Sequence, residues 1–395
     1  MCKQMLTRMR FWLLYGAVVT ERDAYIALNL MPGIGPVKVR QLLAVFGKPE
    51  AILQASPPQL RQGTGLSAKQ AETLGNWRQH VDLDSELAAA QAAGVEIVPA
   101  CSPYYPERLR EIYDPPLCLY VRGNPEVLRQ LASRSLAVVG SRRMTRYGQE
   151  MAERLTMAAS RAGWIIVSGL AHGVDTIAHS TTLKYEGTTV AVLGSGLARI
   201  YPEQNIGLAR AISEKGAVIS ELPMNTSPDR RWFPMRNRII AGMSQGTLVV
   251  EAGIKSGSLI TAQQALDNGR PVFAVPGQIT SPNARGCHSL IKQGAKLVES
   301  LEDISQEFEF LPALLDEPHG LRPASAPAAP NFPELTANEA AVAKLLLEGE
   351  AGAEQLALDA QLPVHEALAA LLMLEIKQVI VQLPGKRFRI KPQTK

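Results

Sequence analysis

Seven short runs of glycine, hydroxyl and charged residues punctuate the middle of this chain, and their composition suits the holding of anionic groups. In order they are Gly140-Ser141-Arg142-Arg143, Ser168-Gly169-Leu170-Ala171-His172-Gly173, Gly194-Ser195-Gly196, Glu221-Leu222-Pro223, Phe233-Pro234-Met235-Arg236-Asn237-Arg238, Glu251 through Lys255-Ser256-Gly257-Ser258, and Pro276-Gly277. Glycine lets the backbone approach an anion closely. Amides at a helix start point toward it, and arginine adds bidentate donors. Phe233 and Trp232 offer flat faces on which a base could stack. Several such pockets in a row suit a polyanionic strand better than one small nucleotide.

Enzymatic chemistry finds less support. The chain has no G-x-x-x-x-G-K-[ST] run for a nucleotide-hydrolysing phosphate loop. Gly194-Ser195-Gly196 begins like a dinucleotide fingerprint, but Arg199 stands where the third glycine belongs. His172, Asp175 and His179 offer two nitrogens and one carboxylate, and Asp175 and His179 share a helix face. The plainer reading places Asp175 in a first helical turn and His179 in packing. Cys287-His288 lacks metal-ligand spacing. Glu221 and Glu251 are expected to orient loops. Gly246-Thr247-Leu248-Val249-Val250-Glu251 partly echoes Rossmann-like hydrolases of nucleoside monophosphates, with Ser244-Gln245 in place of their paired glycines. The expectation is a binding protein, not an enzyme, with no cofactor and no metal.

The elements that must position these runs are legible around them. Strand-like apolar stretches at 136–139, 164–167, 189–193, 217–220, 247–250 and 272–275 alternate with helical patterns at 147–162, 174–185, 203–215, 235–243 and 259–268. Continuous apolar strands are those buried on both faces. Their alternation with helices predicts an α/β fold, a Rossmann-like doubly wound parallel sheet with right-handed crossovers. In such sheets ligands sit beyond the carboxyl ends of the strands, where the seven runs fall.

Around this core, over 102–311, the chain divides further. Residues 21–101 predict a small helical N-terminal domain. There Gly33-Ile34-Gly35 and the looser Gly63-Thr64-Gly65 suggest a helix-hairpin-helix (SAM-like) pair, open to phosphate or to plain helical packing. Residues 312–334 are a Pro/Ala-rich linker. Residues 335–395 outline a winged-helix C-terminal domain of three helices and a hairpin around Pro384-Gly385-Lys386, a shape that serves duplex DNA or protein docking alike. Residues 1–20 are expected to be a disordered extension. Its apolar run 11–19 is too short to span a bilayer.

The 395 residues carry a net charge of +4, compatible with an anionic partner without requiring one. Four dispersed cysteines give no disulfide framework and no zinc ribbon. A cytoplasmic protein is expected, with no membrane partner.

Four of the motifs, in order, resemble those of the DNA-processing protein A (DprA/Smf) family: Gly140-Ser141-Arg142, Ser168 through His179, Phe233 through Gly242, and Ser256 through Ala262. The likeness continues through Val275-Pro276-Gly277 and 287–295. It implies a non-catalytic protein of natural transformation and homologous recombination. Such a protein binds and protects incoming single-stranded DNA, loads the RecA recombinase onto it, and helps to displace single-strand-binding protein. It implies a DNA site at Ser141, Arg142, Ser168, Gly169, Gly194, Phe233, Arg236, Asn237, Arg238, Lys255 and Ser256. Of these, Arg142, Phe233, Arg236 and Lys255 are expected to touch the strand, while Asn237 and Arg238 also fit a bracing role. It also implies a homodimer contact near 286–296, with Leu290 and Ile291 as candidates that read equally well as core.

Overall fold

The computed structural model describes residues 19–315, 335–348, 351–377, 379–383 and 387–390. The extension before 19, the linker from 316 to 334 and the turn 384–386 lie outside the described residues. The chain divides into two compact units after residue 316.

The first unit opens with helices α1 (Glu21–Leu30), α2 (Pro36–Phe46), α3 (Pro49–Gln54), α4 (Pro57–Arg61), α5 (Ala68–Gly75) and α6 (Leu83–Ala92). Punctuation in the sequence sets their bounds. Thr20 and Ser67 accept hydrogen bonds from amides in the first turns of α1 and α5. Proline occupies the first turn of α2, α3 and α4. The turn before α2 places Gly33 at φ +72°, a conformation that glycine adopts without steric cost.

Then follow β1 (Val95–Pro99), α7 (Glu107–Arg110), β2 (Cys118–Gly123), α8 (Glu126–Gln130), β3 (Ser135–Val139), α9 (Arg146–Arg161), β4 (Ile165–Ser168), α10 (Val174–Lys184), β5 (Thr189–Val192), α11 (Ile206–Lys215), β6 (Ala217–Ser220), α12 (Trp232–Met243), β7 (Gly246–Val249), α13 (Ser258–Asp267), β8 (Val272–Ala274), α14 (Arg285–Lys292), β9 (Lys296–Leu297) and α15 (Leu301–Leu315). The strands form one sheet in the order β1-β2-β6-β5-β4-β3-β7-β8-β9. From β6 to β9 every pairing is parallel. The two outer pairings, β1 with β2 and β2 with β6, are antiparallel.

Three differences from the sequence reading stand out. The stretch 95–99, assigned to the helical zone, is an edge strand of the sheet. Strand β2 adds a second antiparallel member, built on the apolar run 117–121 that the sequence reading did not assign to a strand. Helix α15 runs to Leu315, past the expected start of the linker at 312.

Alternate residues of the parallel strands pack on opposite faces. Ala137, Val139, Ile165 and Val167 join a cluster with Ile239, Ile240, Ala262 and Leu290. Leu136, Val138 and Ile166 join one with Ala152, Leu155, Ala159 and Ala178. A third cluster runs without a break from Ile26, Leu42 and Leu74 of the helices to Ile97, Cys118, Tyr120, Ala191 and Val218 of the sheet.

The second unit has helices α16 (Ala337–Glu348), α17 (Ala353–Asp359) and α18 (Val364–Ile376) and a three-stranded sheet, β10 (Ala351–Gly352), β12 (Arg387–Ile390) and β11 (Ile380–Leu383). This is a winged helix with its own core of Val342, Leu346, Leu356, Leu371, Leu374 and Phe388.

Candidate nucleic-acid interface

The loops leaving β3, β4 and β5 and the first turn of α12 converge at the carboxyl edge of the sheet. They line one cleft with Arg142, Gly169, Ala171, His172, Gly194, Tyr201, Pro202, Phe233 and Arg236. The Arg142 guanidinium lies 5.4 Å from the centre of the Phe233 ring. The Tyr201 ring lies 5.8 Å from Phe233 on another side, at 38°. Arg142 and His172 are exposed. Among the described residues no carboxylate pairs with Arg142. The cleft thus presents an unneutralised cation, the exposed Tyr201 ring and the half-buried Phe233 ring.

Beneath these groups, Arg236 is almost wholly buried, 5% exposed. Its Nη1 donates to the Gly169 carbonyl at 2.6 Å and to the Val192 carbonyl, and its Nε to Asn237 Oδ1 at 3.2 Å. Burial lowers its pKa to about 10, opposed by the nearby Asp175 carboxylate. Asp175 in turn accepts from the amides of Gly169 at 3.1 Å and Ala171 at 3.3 Å, and burial holds its pKa above the usual carboxylate range. Arg236 therefore ties the ends of β4 and β5 together and forms the cleft's charged floor. Expected to touch the strand, Arg236 lines the cleft with its guanidinium already committed to two backbone carbonyls.

The two glycines are required by close approach. A methyl group on Gly169 would lie 2.6 Å from the Arg236 guanidinium, and one on Gly194 would lie 2.8 Å from the Phe233 ring.

Other expected site residues lie outside the cleft lining, Arg238 in its bracing alternative and Leu290 in its core alternative. Ser168 is fully buried and its hydroxyl donates to the Val138 carbonyl at 2.6 Å, so it closes the β3–β4 edge and presents nothing outward. Arg238, two positions from Arg236 on the helix, turns away from the cleft and pairs with Asp114 at 2.8 Å and Glu221 at 2.5 Å. Leu290 packs in the chain's own core, 7% exposed, and Ile291 lies half-buried beside it.

Ser141 places the Arg142 loop: its amide donates to the Glu251 carbonyl at 2.7 Å, its carbonyl accepts from Val174 at 3.2 Å, and its Oγ accepts from the Arg143 amide at 3.1 Å. Asn237 reaches the neighbouring loop through Gly257, its Nδ2 3.5 Å from that carbonyl. On that loop Lys255 is exposed and Ser256 shares a hydrogen bond with Ser258 at 2.7 Å. Lys255 and Ser256 stand outside the lining of the cleft.

His172, Asp175 and His179 do not converge on one ligand. His179 is fully buried against Thr189 Oγ1 at 2.7 Å, and burial lowers its pKa to about 3. The Cys287 thiol is pushed up to about 12 by burial, which removes thiolate nucleophilicity at neutral pH. Among the described residues no group of three His, Cys, Asp or Glu is placed to hold a metal ion, and no helix is long and apolar enough to cross a membrane. Tyr201 is the cleft residue that sequence reasoning missed. Its signal was an aromatic residue in the loop leaving β5.

Residues 96–309, more than half of the chain, match the family described as DNA recombination-mediator protein A. The chain belongs to that family. Residues 326–386 match the DprA winged helix domain and 26–74 a SAM-like helix-hairpin-helix tandem. The chain is 41% identical over 267 residues to the DNA processing protein DprA of Bacillus subtilis (strain 168), covering 67% of this chain and 89% of the relative. It is 40% identical over 334 residues to the protein Smf of Escherichia coli (strain K12), covering 84% and 86%. Among solved structures it resembles DNA processing protein A of Streptococcus pneumoniae, with a TM-score of 0.65 and 34% identity over 74% of this chain and 99% of that one. For this family member the Rossmann-like sheet, the helix-hairpin-helix start and the winged-helix tail are thereby shared features.

Proposed function

We propose that this protein binds single-stranded DNA in the cleft of Arg142, Tyr201 and Phe233, with Lys255 and Ser256 extending the path along the next loop. The carrying observation is the unpaired Arg142 guanidinium above the Phe233 ring, 5.4 Å from its centre. An unpaired cation takes a phosphate, and the exposed Tyr201 ring beside the half-buried Phe233 takes the face of a base, whatever the sequence. Arg236, Asp175, Gly169 and Gly194 hold that arrangement from below.

On this reading the protein is a binding protein of the cytoplasm, not a catalyst. It protects the incoming strand in transformation and homologous recombination, hands it to the RecA recombinase against single-strand-binding protein, and works as a homodimer. The dimer contact lies on the exposed parts of α14 and β9, where Ile291 and Leu297 reach the surface.

The test is binding of a fluorescent single-stranded oligonucleotide with duplex as competitor, at two salt concentrations. Salt-sensitive preference for the single strand supports the assignment. Equal affinity for duplex, or no binding, overturns it.

A further inference from the structure

The cleft occupies one side of the sheet's carboxyl edge, over β3, β4 and β5. The chain order reverses on the other side, where β7 follows β3 in space. Open α/β sheets bind ligands at such a reversal, and a second cavity lies there. Its volume is about 560 Å³, and its walls include Val250, Val275, Pro276, Ala284 and Tyr147. Ligand pockets run to about 300–1,000 Å³ with mostly apolar walls and few polar groups.

One buried polar group lines this cavity, the carboxylate of Glu251, at 5% exposure. Its Oε2 accepts from the Thr145 amide at 2.8 Å, and no described residue donates to Oε1. The carboxylate presses on the first turn of α9 so closely that a methyl group on Gly148 would lie within bonding range of Oε2. The positive end of that helix is therefore already answered by a fixed negative charge, and an anion at the cavity floor would be repelled. The floor instead calls for a neutral donor. At the mouth, the Tyr147 ring is 45% exposed and fixed by its hydroxyl, which donates to the Pro276 carbonyl at 2.7 Å. Arg146 also lines the mouth, its side chain 93% exposed and its Nε paired with the exposed Glu150 carboxylate at 3.0 Å.

We propose that this cavity binds a guanine base. Guanine is the common nucleobase that presents two adjacent N–H donors, N1–H and the 2-amino group, on one edge, the pattern that one carboxylate accepts. The ring lies among the apolar walls against Tyr147, and a phosphate on the nucleotide meets Arg146. The guanine comes either from a free nucleotide or from a base in a bound strand. The inference does not require that the neighbouring cleft binds DNA.

Isothermal titration of the full chain with GMP, IMP, AMP and guanosine tests it. GMP is expected to bind at least tenfold more tightly than IMP, which lacks the 2-amino donor, and than AMP, which lacks both. E251Q is expected to abolish that discrimination while the chain stays folded, with a lower melting temperature from the lost charge at the start of α9. R146E, on an exposed side chain, is expected to weaken GMP and leave guanosine unaffected. Equal affinity for GMP and AMP in the unaltered protein overturns the proposal without recourse to any variant, and so does full discrimination retained in E251Q. Oligo(dT) binding, measured alongside, reports on the cleft separately, because thymine lacks the paired donors. Competition by GMP against a strand carrying one guanine, and not against oligo(dT), assigns the site to strand bases. Saturation by GMP with neither oligonucleotide displaced assigns it to free nucleotide.

Discussion

The ring of Phe233 rests directly on the backbone of Gly194: a β-carbon there would lie 2.8 Å from the nearest ring carbon. Phe233 belongs to the first turn of α12 and Gly194 to the loop that leaves β5, so the contact sets the height of the aromatic face above the sheet edge. Alanine at 194 must push the ring toward Arg142 or Tyr201. G194A is expected to weaken single-strand binding by about 5- to 150-fold, the range of one lost base stack of about 1–3 kcal/mol. Thermal melting should be nearly unchanged. Fluorescence anisotropy with oligo(dT) reads the first and a melting curve the second, and unaltered binding would remove Phe233 from the interface.

Arg142 and Lys255 are exposed and carry no ion pair among the described residues. Each contact to a single-strand phosphate contributes about 0.7 to the slope of log K against log salt. Replacing both by alanine should therefore flatten the slope by about 1.4. Affinity titrations at several salt concentrations measure it, and an unchanged slope places the strand elsewhere.

His179 makes stability depend on acid. Thr189 Oγ1 donates to the Ile166 carbonyl, so it accepts from the Nδ1–H of His179, whose Nε2 is then unprotonated and without a partner. Burial keeps the folded pKa near 3 against an ordinary 6.5. Below 6.5 the unfolded chain takes up a proton that the folded chain refuses. The stabilisation is thus complete above about pH 6.5 and is lost as pH falls toward 3, by up to about 1.4 kcal/mol per unit. The burial of Asp175 acts in the opposite direction, so the comparison must be between the protein and H179Q. Denaturant melts across pH 4–7 should show a shallower acid loss in the variant.

The sequence carried much of this arrangement and missed particular parts for physical reasons. The runs around Val138, Ile166, Ala191 and Val218 are buried on both faces, so they read as continuous apolar strands. Strand β1 keeps Glu96 exposed between Val95 and Ile97, and β9 is only two residues long, so neither gives such a run. In the site, the residue types at 142, 169, 194 and 233 pointed to the cleft. A bracing role was open for Arg238, but its partners Asp114 and Glu221, like the Gly169 and Val192 carbonyls that hold Arg236, approach only through the fold. Tyr201 entered for the same reason, carried to Phe233 by a loop whose course no local pattern sets.

Self-association separates the two neighbours on α14. I291E, at a half-buried position, is expected to yield monomers of unchanged fold by light scattering. L290E places a charge in the core and should destabilise the chain itself. A persistent dimer in I291E would put the contact elsewhere.

The positive charge of the tail domain is unevenly placed, with Lys386, Arg387, Arg389 and Lys391 close together in the sequence. Residues 353–376, which include α17 and α18, contain no lysine or arginine. The exposed side of α18 shows Val364, Leu368, Leu372 and Met373. Recognition helices meet phosphates and base edges with basic and polar groups. A chain ending at residue 316 is expected to keep its single-strand affinity within about twofold, a difference of about 0.4 kcal/mol. A large loss would move the binding site into the tail.

Strand β1 carries a consequence for how the protein can be cut. It joins the amino-terminal helices to the same sheet that bears the cleft, and one apolar cluster continues from Ile26 and Leu42 to Cys118, Tyr120 and Ala191. A fragment beginning after residue 101 would lose an edge strand and bare that cluster to water. Its β2 would then be an open, oily rim inviting strand-to-strand stacking between molecules. The helical start is in this sense a sealing cap, and a soluble working core has to be drawn to include it.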